Sequence, residues 1–245
     1  MNLSRARLAI AACLLLSACQ RTPDAAAPAQ PAVPEPAAAD SVPPPAPAEP
    51  AGTGEKTAAY VLPGDFDAGT GLADLQARFG EANVRTGEVP GAEGETVSGI
   101  VLFPDDPKRR AYLYFDDEKA LAGLNLVRAF DHETQWSLDN GLRIGTPLKE
   151  VVAMNGKPIK YYGLDWDYGG TVTSFNGGKL EPPPDAPVKR IIQLGSNSTA
   201  DNPQPDDAYP IGDSEFSSDD PAYPRQGDYV IVGEIAVSFP GKQDN

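Results

Sequence analysis

The sequence predicts an α+β fold built from two tandem units, each a short helix followed by an antiparallel meander, with the helices packed on one sheet face. A repeated helix signature is the first reason. Gly69-Thr70-Gly71-Leu72-Ala73-Asp74-Leu75-Gln76-Ala77-Arg78-Phe79-Gly80 realigns with Gly145-Thr146-Pro147-Leu148-Lys149-Glu150-Val151-Val152-Ala153-Met154-Asn155-Gly156. The second reason lies downstream of each copy, in short runs of β-branched and aromatic residues separated by turn residues. The units are expected over 60–137 and 138–240, together long enough for one substantial core.

Taken in order, the chain begins with a leader over 1–18. Arg5 and Arg7 precede an apolar run from Leu8, which closes on Leu16-Ser17-Ala18-Cys19. A basic n-region, an apolar h-region and small residues before the cut form a secretory signal layout. The run is too short for a transmembrane helix, which needs about 20 residues. Residues 20–59 are rich in Ala, Pro, Glu and Asp, densest at Pro43-Pro44-Pro45-Ala46-Pro47. With little to bury, this segment is expected to be a disordered tether of polyproline II character. At ~3.1 Å per residue it would reach on the order of 100 Å. Gly52-Thr53-Gly54-Glu55-Lys56-Thr57 is not a phosphate loop, because Glu55 stands where the Walker pattern needs Gly before its Lys.

Within each unit, Thr70 and Thr146 are expected helix N-caps, Asp74 and Glu150 face the positive helix end, and Gly80 and Gly156 are the stops. Strands are expected at Val97–Phe103, Ala111–Phe115 and Leu121–Phe130 in the first unit. In the second they are expected at Ile159–Asp165, Thr171–Phe175, Val188–Leu194 and Tyr229–Phe239. Pro104-Asp105-Asp106-Pro107 reads as a turn. An insertion over 196–228 is acidic and Pro-rich, and its segment Asp201–Asp220 has no Lys or Arg. It reads as a solvated loop, with binding of a divalent cation or a basic partner, or cover of a sheet edge, as its functional alternatives.

The leader resembles the bacterial lipoprotein signal class, in which Cys19 becomes the lipidated first residue. By that resemblance Gln20 after the cysteine implies the outer membrane, with the domain facing the periplasm. Together with the tandem signature, the chain resembles the small lipoproteins of the BamE (SmpA/OmlA) type and the tandem-repeat β-lactamase-inhibitor-protein fold. That resemblance implies envelope assembly or enzyme inhibition. It departs from the BamE pattern in having two units, a longer linker and the acidic insertion. Cys13 leaves with the leader and Cys19 is taken by lipid, so neither thiol catalysis nor a disulfide is expected in the folded part.

Asp165-Trp166-Asp167-Tyr168-Gly169-Gly170 is the densest polar-aromatic cluster. The cluster reads as a solvated strand end before the Gly169-Gly170 turn, with Trp166 packed inward. As functional alternatives, Asp165 and Asp167 would share a strand face as a divalent-cation site or a glycan hydrolase pair, with Asp117 as a further acid. A calcium loop does not fit, because its third ligand position falls on Gly169. Tyr161, Tyr162, Trp166 and Tyr168 are expected to supply a binding surface, with at most half facing outward. His132 is the only histidine, so no multi-histidine metal site is expected, and no nucleophile elbow accompanies it. Lys108-Arg109-Arg110 is the basic run. The formal charge of −15 argues against nucleic acid and anionic membrane surfaces as partners. No cofactor is expected. The leading expectation is therefore a non-enzymatic, lipid-anchored binding module, with an envelope glycan hydrolase and a periplasmic enzyme inhibitor as alternatives.

Overall fold

The computed structural model describes residues 60–199, 203–205 and 207–240. Cys19, the leader and the tether lie outside the described residues, as does part of the acidic insertion. The first half contributes β1 (Val61–Leu62), α1 (Leu72–Phe79), β2 (Val84–Pro90), β3 (Thr96–Leu102), β4 (Ala111–Asp117), β5 (Ala122–Ala129) and β6 (Ser137–Leu138). The second contributes α2 (Leu148–Asn155), β7 (Lys160–Tyr162), β8 (Val172–Ser174), β9 (Lys189–Ser196), β10 (Glu215–Ser217), α3 (Gln226–Tyr229) and β11 (Val230–Ser238).

The tandem α+β expectation is not what forms. Among the described residues the architecture is mostly β, with eleven strands in three sheets and three short helices. The main sheet has the order β2-β3-β4-β5-β11-β9, so the two long apolar strands of the second half extend the meander of the first. β11 pairs antiparallel with β5, Val237 opposite Val127, instead of seeding a second meander. What remains of the second half is too short to build one. β7 and β8 are three-residue strands, and they pair into a small sheet with β10, which comes from within the acidic insertion. That insertion therefore supplies both β10 and α3 rather than being only a solvated loop. β1 and β6 form a parallel two-stranded piece.

The two signature helices do form, but each is only about two turns long. Leu75 and Phe79 of α1 and Leu148 and Val151 of α2 enter the core, whose bulk comes from the strands. Their caps differ from expectation. Gly71 and Pro147 occupy the N-cap positions, and the threonine hydroxyls are committed to the preceding turns. Thr70 Oγ1 accepts from the Asp67 amide at 3.1 Å, and Thr146 Oγ1 donates to the Arg143 carbonyl at 2.7 Å. The Asp74 carboxylate accepts from the Gly71 amide at 3.0 Å, which leaves the acid at the dipole's positive end. No helix among the described residues is long and apolar enough to cross a membrane.

Strand alternation gives the main sheet two faces. The inner face carries Ile100, Leu113, Val127 and Val237, in register across four strands and all fully buried. Beneath it an aromatic group joins Tyr60, Phe66, Phe79, Phe103 and Trp136, whose indole N–H donates to the Arg109 carbonyl at 2.8 Å. The basic run is absorbed at this end. Arg109 lies over Phe103 and pairs with Asp106, and Arg110 pairs with Asp131. The opposite face carries Tyr112, Tyr114, Arg128, Phe130, Glu234 and Gln193.

Candidate functional site

The outer face is walled on two sides. On one side the hairpin β2–β3 leaves the sheet. Its strands pair with each other as far as Pro90 and Thr96, but β3 pairs with β4 only over Ile100–Leu102. The distal half bends over the face, where Val89 is fully buried and the Pro90 carbonyl accepts from the Tyr114 hydroxyl at 2.7 Å. A side chain at Gly99 would forbid this bend, since a Cβ there would stand 2.5 Å from the Leu113 carbonyl oxygen and 2.7 Å from Val89 Cγ2.

The second wall is the loop 163–171, where the Asp165-Trp166-Asp167-Tyr168 cluster sits. It is a tight turn rather than a strand, with Gly169 N donating to Trp166 O at 2.8 Å and Thr171 N to Tyr168 O at 3.2 Å. The loop is moored to the sheet edge. Leu194 N donates to Gly170 O and Gln193 Nε2 to Gly169 O, each at 2.8 Å. Trp166 donates its indole N–H to Gly163 O and lies edge-on between Tyr162 and Tyr168, with centroids 5.7 and 5.6 Å away.

Between these walls lie two adjoining concavities of about 600 and 400 Å³, which share Arg128 and Gln193. Gly91–Gly94, Asp167, Tyr168 and Thr171 complete the larger, while Pro90, Phe130, Leu194, Gly233 and Glu234 complete the smaller. Their floor is held by one ion pair. Arg128 Nε and Nη2 donate to the two Glu234 carboxylate oxygens at 2.8 and 2.7 Å, with side chains only 24% and 13% exposed. Arg128 Nη1 also donates to the Tyr114 hydroxyl at 3.2 Å. Burial works against the Arg128 charge, but the hydrogen bonds and charge of Glu234, with Tyr114 beside them, together outweigh it and raise the guanidinium above its ordinary value. Burial pushes the Tyr114 hydroxyl upward as well, against the lowering effect of Arg128, so it stays a neutral donor to Pro90 at physiological pH. Tyr112 and Phe130 stack flat beside this pair at 4.5 Å.

The expected aromatic surface is thus divided. Tyr168 is the most exposed large aromatic at 57% and, with Asp167, lines the cleft. Tyr162 and Trp166 are half-buried and support it. Tyr161 is a correction: it is fully buried, and its hydroxyl donates to Gln226 beneath the small sheet. Asp165 is exposed in a left-handed conformation, φ 66°. With Asp165 and Asp167 on a turn, the strand spacing that paired them no longer applies. Asp117 caps the β4–β5 turn, accepting from the Lys119 and Ala120 amides. His132 is exposed on the turn after β5.

Several of the acidic insertion's carboxylates engage protein groups. Glu215 accepts from Lys160 Nζ and Thr173 Oγ1, and Asp228 pairs with Lys149. Those bonds hold both carboxyls below their ordinary values. Among the described residues no three acidic, His or Cys side chains converge as a metal-ligand set.

Sequence reasoning missed Arg128, Glu234, Tyr114 and the hairpin tip. One signal was present. Arg128 interrupts the apolar run Leu121–Phe130 and Glu234 interrupts Tyr229–Phe239, one charge of each sign in two strands that become neighbours.

No protein-family model, curated protein or solved structure matches the chain. These comparisons assign no family to the chain and no partner to this cleft.

Proposed function

We propose that the chain is an outer-membrane lipoprotein, anchored through Cys19 and facing the periplasm, whose domain holds a protein partner on the walled face of its main sheet. The domain binds and does not turn over a substrate. One observation carries the binding half: the cleft is open and polar, framed by a moored loop that presents Tyr168, and its floor charges are already committed to each other. Such a surface offers recognition by aromatic and hydrogen-bonding groups. Asp165 and Asp167 lie on a turn rather than paired on a strand, and Asp117 caps the separate β4–β5 turn, so the carboxylate pair is not assembled. The anchoring half rests on Leu16-Ser17-Ala18-Cys19 and Gln20.

Crosslinking in intact cells, followed by recovery of the tagged full chain with and without Cys19→Ala, tests both halves. The expected result is a wild-type chain in the outer-membrane fraction with a discrete crosslinked protein, and a Cys19→Ala chain released from that fraction with the adduct depleted. A wild-type chain that fractionates as free periplasmic protein, or that yields no discrete adduct, overturns the proposal.

A further inference from the structure

We infer that the cleft receives a cationic side chain, a lysine or arginine in an extended protein segment with an apolar residue beside it. This rests on the reading of the walled face as a protein-binding surface and names the chemistry of the group that enters it.

The charges in the lining decide the sign. Arg128 is the only cation among the lining residues, and Glu234, Tyr114 and Pro90 already accept from it. An anionic ligand would have to compete with the two-pronged Glu234 carboxylate for it. Glu93 on the hairpin tip and Asp167 on the loop line the same concavity from its two walls, and both are exposed without an ion-pair partner among the described residues. Among the other polar groups of the lining, Thr171 and Gln193 each carry an oxygen that can accept. Gln193 has spent an amide N–H on Gly169, which turns its carbonyl oxygen to other donors. The exposed ring of Tyr168 adds a π face, which attracts ammonium and guanidinium groups.

Size and shape agree with a side chain on a strand-like segment. About 600 Å³ accommodates a long basic side chain, and the adjoining 400 Å³, lined by Pro90, Phe130 and Gly233, suits an apolar neighbour. The chain's formal charge of −15 steers basic segments toward it, but only the cleft adds acceptors and an aromatic face at one place.

The test uses the full chain and a fluorescein-labelled peptide of alternating Lys and Phe, with a Glu-for-Lys peptide as the reverse-charge probe. Three proteins are compared: wild type, Glu93→Gln/Asp167→Asn, and a control that removes two exposed acids elsewhere, Glu81→Gln/Glu133→Gln. The expected result is saturable binding of the Lys peptide that weakens about tenfold in the cleft variant and less than twofold in the control, with no binding of the Glu peptide. Equal loss in both variants reveals only the bulk charge and overturns the inference, as does unchanged binding in the cleft variant or no saturable binding. A cellular adduct that persists in the cleft variant, together with unchanged peptide binding, overturns the cationic ligand and leaves the surface reading intact. Loss of the adduct from wild type overturns the surface reading itself.

Discussion

Gly170→Ala is expected to destabilise the domain by about 3 kcal/mol and to release the loop that carries Tyr168. Gly170 has φ 76°, and a Cβ there would stand 1.9 Å from the Leu194 carbonyl oxygen. That oxygen belongs to the backbone of β9, which β11 holds along its other edge, so it cannot step aside as a flexible side chain would. The clash is resolved only by lifting the loop, which breaks the Leu194–Gly170 and Gln193–Gly169 hydrogen bonds together. Urea unfolding should show a lowered midpoint with little change in slope, and amide exchange should quicken at Leu194 while Leu113 and Val127 stay protected. An unchanged midpoint with continued protection at Leu194 would contradict the mooring described for the second wall.

Trp136→Ala is expected to cost about 3–5 kcal/mol, enough to lower Tm by roughly 10 °C. Trp136 is 1% exposed and touches the rings of Tyr60 and Phe66, so its removal opens a cavity whose neighbours are fixed by their own surroundings. The indole also leaves the Arg109 carbonyl without its donor. Because Trp136 packs on Tyr60 and its neighbour Ser137 pairs with β1, the loss should expose β1 to proteolysis first. Calorimetry with limited proteolysis checks this, and a shift below about 2 °C would mean that this end of the core is not packed as described.

Local structure was legible where a segment's own chemistry decides it. The repeated Gly-Thr-x-Leu-x-acid pattern located both helices, and the β-branched runs located the long strands. Pairing was not legible, because alternation assigns a strand two faces without naming its neighbour. Val230–Ser238 is apolar enough to lie inside any sheet, and only the tertiary fold places it between β5 and β9. β2 escaped notice because Arg85, Thr86, Gly87 and Glu88 are exposed on an edge strand, where burial imposes no apolar pattern. The strand expected over Ile159–Asp165 stops at Tyr162, and the expected Gly169-Gly170 bend widens into a loop that turns back onto β9.

The site was legible only in part for the same reason. Asp167 and Tyr168 stood out as a local cluster. Arg128 and Glu234 lie far apart in sequence and gain meaning only when β5 and β11 become neighbours, where two largely covered charges meet as a pair.

Position-specific photocrosslinking asks whether a partner sits between the two walls. A photoreactive phenylalanine derivative is placed singly at Tyr168, Ala92 or Glu81 in the full-length chain, and intact cells are irradiated. Tyr168 and Ala92 line the cleft from its two walls, whereas Glu81 is an exposed position on the turn after α1. A partner held in the cleft gives the same protein adduct from Tyr168 and Ala92 and none from Glu81. Adducts of equal yield at all three positions, or an adduct from Glu81 alone, would contradict a binding site on the walled face.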